Sequence, residues 1–189
     1  MPTHPPERIV GERVVVRRYA PHDAAALVRS ETESLEHLRP WMPWIRHEPQ
    51  TVEQRVEMIE TWTKEWDEAT NFVYTMVDPA DESRIIGGTG LHLRNGPDEI
   101  EIGYWVHIDH VGRGVATESA RLLTTAGLAL DGKEAVLICH DRANRASGAV
   151  PRKLGYRLVE EYSRPNEAPA ETGIHHKWRV TAAEWIALG

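Results

Sequence analysis

The stretch Glu99 to Ser119, EIEIGYWVHIDHVGRGVATES, limits the possible folds of this chain more than any other. It reads as a strand (Glu99 to Val106), a short polar connection, a Gly-rich turn (Gly112-Arg113-Gly114) and then a helix. Such a turn opening onto a helix is a physical device for holding an anion. The first helical amides have no partner in the chain, and the helix dipole makes that end partly positive. Gly112 and Gly114 carry no Cβ, so the backbone can approach a pyrophosphate closely, and Arg113 adds a cation between them. Taken alone, the same residues also fit an ordinary turn between a strand and a helix.

The rest of the chain is read around this unit. Its 189 residues suit one domain, 1–189, with enough length to bury a core. A formal net charge of -7 argues against sequence-independent nucleic-acid binding and would suit a basic partner, an amine or a basic protein tail. The single cysteine, Cys139, excludes an internal disulfide and, within the apolar run Val136 to Cys139, is expected to be a buried structural thiol. The opening MPTHPPERIVGERVVV lacks a signal-peptide layout, and no apolar run approaches the roughly 20 residues of a membrane span. No membrane association and a cytoplasmic location are therefore expected.

Residues 1 to 8 read as a loose Pro-rich tail, followed by a strand over Arg13 to Tyr19 and a helix starting at Pro21. Leu38-Arg39-Pro40-Trp41-Met42-Pro43-Trp44 is a Pro-broken apolar loop that either covers a core or walls a pocket, with Trp41 the candidate for the wall. Thr51 to Gln54 forms a capping box, and apolar residues at helical spacing carry that helix to about Ala69. Strands follow over Phe72 to Val77 and Arg84 to Leu93, with a turn at Asn95 to Asp98 leading into the central strand. The helix after the Gly-rich turn is expected to end at Asp131-Gly132, before a buried strand from Ala135 to Cys139. Asn144 caps a helix reaching Leu154, in which Pro151 must free the Ser147 carbonyl from its helical bond. Strands over Arg157 to Tyr162 and Ile174 to Val180 and a short final helix complete one mixed α/β domain.

EIGYWV, VGRGVATESARLL and NRASGAVPRKLGY, in this order and spacing, resemble the GNAT superfamily of acetyl-CoA-dependent N-acetyltransferases. The LRPWMPW loop and the ending KWRVTAAEW are similar to the RimJ/RimL-like branch. The resemblance implies a mixed α+β fold with a twisted, mostly antiparallel central sheet flanked by helices, whose fourth and fifth strands splay apart. It implies acetyl-CoA as cosubstrate, with the pyrophosphate at Val111, Gly112, Arg113, Gly114, Val115, Ala116 and Thr117, and the pantetheine arm along Trp105 and Val106. Val111 stands where the family carries Arg or Gln, a loss the backbone amides are expected to tolerate. Asn144 and Ser147 match the family's NxxS element, which places a hydroxyl near the sulfur.

The implied reaction is direct attack of an amine on the thioester in a ternary complex, and the amine must first lose a proton. Glu101 is the first candidate base by resemblance to some superfamily members, with His92 second and also placed at the acceptor. Strand alternation puts Glu99, Glu101, Gly103 and Trp105 on one face, with Ile100, Ile102, Tyr104 and Val106 on the other. Either Glu101 lies in a partly dry cleft with a raised pKa, or it is salt-bridged to a neighbouring Arg or Lys. The family's usual acid, a Tyr, is replaced by Pro151, leaving Ser147 or solvent to assist the sulfur, and Tyr156 reads as packing. His107 and His110 suggest a metal only in isolation, since nothing else supplies ligands, and no metal is expected. A protein N-terminus, a lysine and a small amine all stay open as acceptor. Transfer of a larger acyl group such as succinyl, a non-catalytic acyl-CoA-binding module and homodimerisation also stay open.

Overall fold

The computed structural model describes residues 3–188. Among these, eight strands form one sheet: β1 (Arg8–Val10), β2 (Val15–Arg18), β3 (Asn71–Asp78), β4 (Asp81–His92), β5 (Glu99–Val106), β6 (Ala135–Asp141), β7 (Arg157–Ser163) and β8 (Ile174–Thr181). Their order is β1-β2-β3-β4-β5-β6-β8-β7, antiparallel except where β5 runs parallel to β6. Five α-helices accompany them: α1 (Ala24–Leu38), α2 (Val52–Asp67), α3 (Val115–Leu128), α4 (Arg145–Lys153) and α5 (Ala182–Leu188).

The helices divide between the two faces of the sheet because β5 alternates. Ile100 and Ile102 join Val115 and Leu123 of α3 in one core cluster. Trp105 packs instead against a second cluster of Tyr19, Leu27 and Ile59, from the α1 and α2 side. Both arrangements follow the alternation expected from sequence. Thr51 caps α2 as anticipated: its hydroxyl accepts from Gln54 N–H at 3.3 Å and the Gln54 amide oxygen accepts from Thr51 N–H at 2.9 Å. Such a cap contributes about 1 kcal/mol. The helix ends at Asp67 rather than Ala69, which adopts a positive φ of 53°. Likewise α3 stops at Leu128, and Asp131-Gly132 belongs to the connection that follows it.

The β5–β6 pair is where the fold makes room for chemistry. Only Glu99, Ile100 and Glu101 pair with β6, opposite Ala135, Val136 and Leu137. Beyond them β6 leaves with β8, to which it pairs along its whole length. Residues 102–106 of β5 keep their β4 partners but have no strand on the β6 side. This is the splay that the resemblance implied.

The N-terminal reading needs correction. Residues 1 and 2 lie outside the described residues, but the remainder of the expected tail is tied down. Tyr74 Oη donates to the Pro6 carbonyl at 2.9 Å, Arg18 N–H donates to that of Glu7 at 2.7 Å, and Arg8 starts β1. The buried Glu118 carboxylate of α3 accepts from the backbone of Glu12 and Arg13 at 2.9 and 2.7 Å, anchoring the β1–β2 hairpin. The bonds of Tyr74 and Glu118 cross 68 to 106 residues, invisible to local pattern.

Candidate active site

On the α3–α4 side of the splay lies a cleft of about 340 Å³. Trp105, Val106, Val111, Gly112, Gly114, Val115, Ala116, Thr117, Asn144 and Ser147 all line it. Gly112 and Gly114 have φ of +77° and +83°, the left-handed region that glycine occupies without strain. A Cβ at Gly112 would meet nothing within 4 Å, so the turn presents an open concave backbone. The α3 ladder begins with Glu118 N–H on the Gly114 carbonyl, leaving the amides of Val115, Ala116 and Thr117 without helical acceptors. These residues fit a pyrophosphate, and the unpaired edge at residues 102–106 fits an extended amide-bearing arm. Arg113 is the exception among the expected residues: its side chain is exposed and off the cleft wall. Val111 is 45% exposed and contributes no polar group.

On the other side of the splay is a cavity of about 470 Å³, lined by Glu101, Cys139, Trp41 and the loop carrying Glu167 and Glu171. It shares Trp41, Met42, Tyr104, Asn144 and Ser147 with the first cleft, so the two meet beside α4. Trp41 is half-buried and stands in both walls, not in either core cluster. Cys139 is half-buried on this wall, which corrects its expected place inside the core. Burial still pushes its thiol up to about 12, so it stays protonated.

Glu101 does not have the environment expected of a raised-pKa base. Its carboxylate accepts from Arg94 through both Nε, at 3.0 Å, and a terminal guanidinium nitrogen, and from Asn95 Nδ2 at 2.7 Å. Burial opposes ionisation, but the hydrogen bonds and charge of Arg94, with Asn95, hold the carboxyl below its usual value. The salt-bridge alternative is the arrangement found, and Glu99 is likewise paired, with Arg179 at 2.7 Å. His92 lies on the same face, part-buried, with Nδ1 2.8 Å from the Asn71 side-chain oxygen. Burial and the nearby Arg94 lower its pKa to about 4, so it is neutral at pH 7. With Nδ1–H donated to Asn71, Nε2 carries the free lone pair.

Tyr104 was missed as a site residue. Pro151 has no N–H for the Ser147 carbonyl, and Tyr104 Oη donates to that orphaned oxygen at 3.0 Å, with Ser147 Oγ at 3.2 Å. The signal was divided between two places: strand alternation put Tyr104 on one face with Ile100, Ile102 and Val106, and Pro151 announced an acceptor without a donor. Burial raises the Tyr104 pKa, so the hydroxyl keeps its proton. Tyr156 is 4% exposed and bonds Thr124 Oγ1 at 2.7 Å, a packing role as expected. His107 Nε2 lies 2.9 Å from Glu33, and among the described residues no group of three or more His, Cys, Asp or Glu is placed to hold a metal. No helix among them is long and apolar enough to cross a membrane.

Known proteins share this organisation. YdaF of Bacillus subtilis (strain 168), a candidate ribosomal N-acetyltransferase, is 24% identical over 180 residues, spanning 93% of this chain and 95% of its own. The solved structure of Mycobacterium smegmatis RimJ in complex with CoA-disulfide superposes with a TM-score of 0.83 at 22% identity, covering 96% of this chain and 91% of that one. RimL, the ribosomal L7/L12 alpha-N-protein acetyltransferase solved with coenzyme A, gives 0.80 at 15% identity, covering 92% and 96%. The family model described as Acetyltransferase (GNAT) domain matches residues 13–157, and the chain belongs to that family.

Proposed function

We propose that the protein transfers an acetyl group from acetyl-CoA to a primary amine by direct attack in a ternary complex. The observation that carries this reading is the meeting of two cavities at Tyr104, Asn144 and Ser147, one walled by unpartnered helix-terminal amides and the other by polar side chains. A donor thioester reaching through the first presents its carbonyl carbon to an amine in the second. The name of RimL, a ribosomal L7/L12 alpha-N-protein acetyltransferase, supports an amine on a protein N-terminus as one acceptor class.

In this reading the acceptor loses its ammonium proton to solvent and attacks as the neutral amine. A bond forms from nitrogen to the carbonyl carbon, and the carbon–sulfur bond breaks. The second nitrogen proton goes to His92 Nε2, a neutral base that lines the adjoining cavity on the α1–α2 side. Ser147 Oγ–H offers a hydrogen bond to the departing sulfur, and Tyr104, whose one proton is on the Ser147 carbonyl, positions that hydroxyl from 3.2 Å. Glu101 acts by holding Arg94 at the cavity wall. The test is release of CoA thiol from acetyl-CoA and from succinyl-CoA over a panel of peptides, lysine derivatives and small amines. Amine-dependent release from acetyl-CoA is expected, with weaker release from succinyl-CoA. CoA binding without thiol release from any amine would make the protein a binding module.

A further inference from the structure

A third cavity, of about 440 Å³, opens on the α1–α2 side and shares Met42, Tyr104 and Trp105 with the first cleft. Asn71, His92 and Arg94 line it. Asn71 opens β3 and His92 closes β4, and the two stand opposite in register, with Glu101 of β5 next in the same row. Arg94 and Asn95 occupy Glu101, so it is Asn71 that bonds the imidazole, with its Oδ1 2.8 Å from His92 Nδ1. On its other side Asn71 Nδ2 donates to Glu65 Oε2 of α2 at 2.8 Å. The far edge of the ring lies over bare backbone. A Cβ at Gly90 would come within 2.9 Å of His92 Nε2, and one at Gly103 within 3.1 Å, so glycine at both positions gives the ring its room. Gly103 belongs to the edge of β5 without a partner on the β6 side, and Nε2 sits beside that edge. His110 and His175 also have an unpartnered Nε2, but theirs are sealed inside the protein, whereas that of His92 is not.

Hydrogen-bond chemistry fixes the protons along this chain of three. An ionised carboxylate only accepts, so Asn71 turns its NH2 group to Glu65 and its oxygen to His92. An amide oxygen also only accepts, so His92 Nδ1 carries the ring proton and Nε2 the lone pair. Without Glu65, Asn71 is free to turn its amide over and present NH2 to the ring, which favours the opposite tautomer. We propose that Asn71 and Glu65 are positioning residues that together hold His92 in the Nδ1–H tautomer, with its basic nitrogen beside the open edge of β5. The proposal rests on the reading above, in which His92 Nε2 takes the amine proton. Burial and the charge of Arg94, opposed by Glu101, lower the His92 pKa to about 4. At neutral pH the choice is therefore between two neutral tautomers, and the hydrogen bond at Nδ1 decides it.

The test is nitrogen NMR of the histidine side chains in the CoA-loaded protein at neutral pH, with His92→Gln assigning the His92 signals. Wild type is expected to show a protonated Nδ1 and a bare Nε2. Asn71→Leu and Glu65→Ala should both move His92 towards the Nε2–H form. With acetyl-CoA and the best amine of the panel, kcat should fall about tenfold or more in Asn71→Leu, part of what a positioned base contributes, with acceptor KM nearly unchanged. Glu65→Gln keeps an oxygen that accepts from Asn71, and should restore the tautomer and most of the rate that Glu65→Ala loses. The CoA-induced melting shift serves as the folding control, and the two Glu65 variants decide if Asn71→Leu does not fold. An Nε2–H signal in wild type, or an Nδ1–H signal that survives Asn71→Leu or Glu65→Ala, overturns the proposal. The readings fail separately. A tautomer change with normal kcat removes His92 as the base, and no turnover of any amine removes the transferase, while the tautomer lock stands in both cases.

Discussion

The two faces of β5 are built by different means. On the α3–α4 face the cleft is made of backbone: two glycines at positive φ, the opening amides of α3 and an unpaired strand edge. On the α1–α2 face the walls are side chains, with Glu31, Arg55 and His92 all partly or fully buried near aromatic rings. A backbone site has a geometry set by a few local residues and no titration of its own. A site of buried ionisable groups has a charge state that depends on every neighbour. The first suits a cosubstrate common to a family, the second an acceptor particular to one member.

The largest effect should come from breaking the backbone side. Gly114→Val places a branched side chain at φ +83°, with its Cβ 3.4 Å from Arg13 Cδ. The strain is about 1–3 kcal/mol, and relaxing it moves the amides that follow. At CoA 100-fold above its Kd, mass action stabilises the native protein by about 2.7 kcal/mol, and most of this should vanish. Melting with and without CoA measures it. A folded variant with the full shift would remove the pyrophosphate assignment.

The next effect belongs to the acceptor side and to pH. An unfolded histidine binds its proton near pH 6.5, but folded His92 does so only near 4. Between those values the unfolded state holds more protons, so stability is full above about 6.5 and falls as pH drops towards 4. From pH 7 to 5 this loss is about 2 kcal/mol. Glu31 acts in the opposite sense, since its folded carboxyl, raised to about 8, gives stability that declines as pH rises from its unfolded value. Urea unfolding of wild type and His92→Gln at both pH values isolates the histidine. The variant should lose about 2 kcal/mol less than wild type on acidification, and identical losses would place His92 in water.

The same contrast explains what could be read from sequence. The α3–α4 face lies in two short runs, 99–119 and 144–147, where glycine, alternation and a cap each state a local requirement. The acceptor face joins Glu31 to Arg55 and Arg94 to Glu101 through tertiary contacts that no periodicity encodes. Arg94 reverses the expected direction of the Glu101 pKa, and its partner could not be named before the chain was folded. Tyr104 falls between these cases. Its face was legible, and so was the carbonyl freed by Pro151, but their meeting required the position of α4.

Tyr104→Phe tests that junction. Removing the hydroxyl leaves the Ser147 carbonyl without its 3.0 Å donor, at a cost of about 1–2 kcal/mol. The Ser147 hydroxyl also loses its 3.2 Å neighbour, and with Ser147 misplaced kcat should fall about tenfold with CoA affinity nearly unchanged. Urea unfolding and steady-state kinetics together check it. A stability loss with normal kcat would make Tyr104 a strut for α4 alone.

The smallest effect is expected at the residue that sequence placed first. Glu101 is ionised and spoken for, receiving Arg94 and Asn95, and its carboxyl is held low. It therefore has no proton to gain in the range where an amine becomes nucleophilic. Glu101→Gln removes the charge of a pair whose other member is 60% exposed, so the stability cost should be about 1 kcal/mol or less. On this account kcat stays within a few fold. The acidic limb of kcat/KM also persists, because it reports the acceptor: near pH 8 for an α-amino group and about 10.4 for a lysine. Exchanging the acceptor for an amine of lower pKa should move the limb, whereas exchanging Glu101 should not. If the carboxylate were the base, its deprotonated form would be the active one. Its loss would then lower kcat by about 10²–10⁴ and abolish the limb. That outcome would mean that Arg94 leaves Glu101 when the acceptor binds.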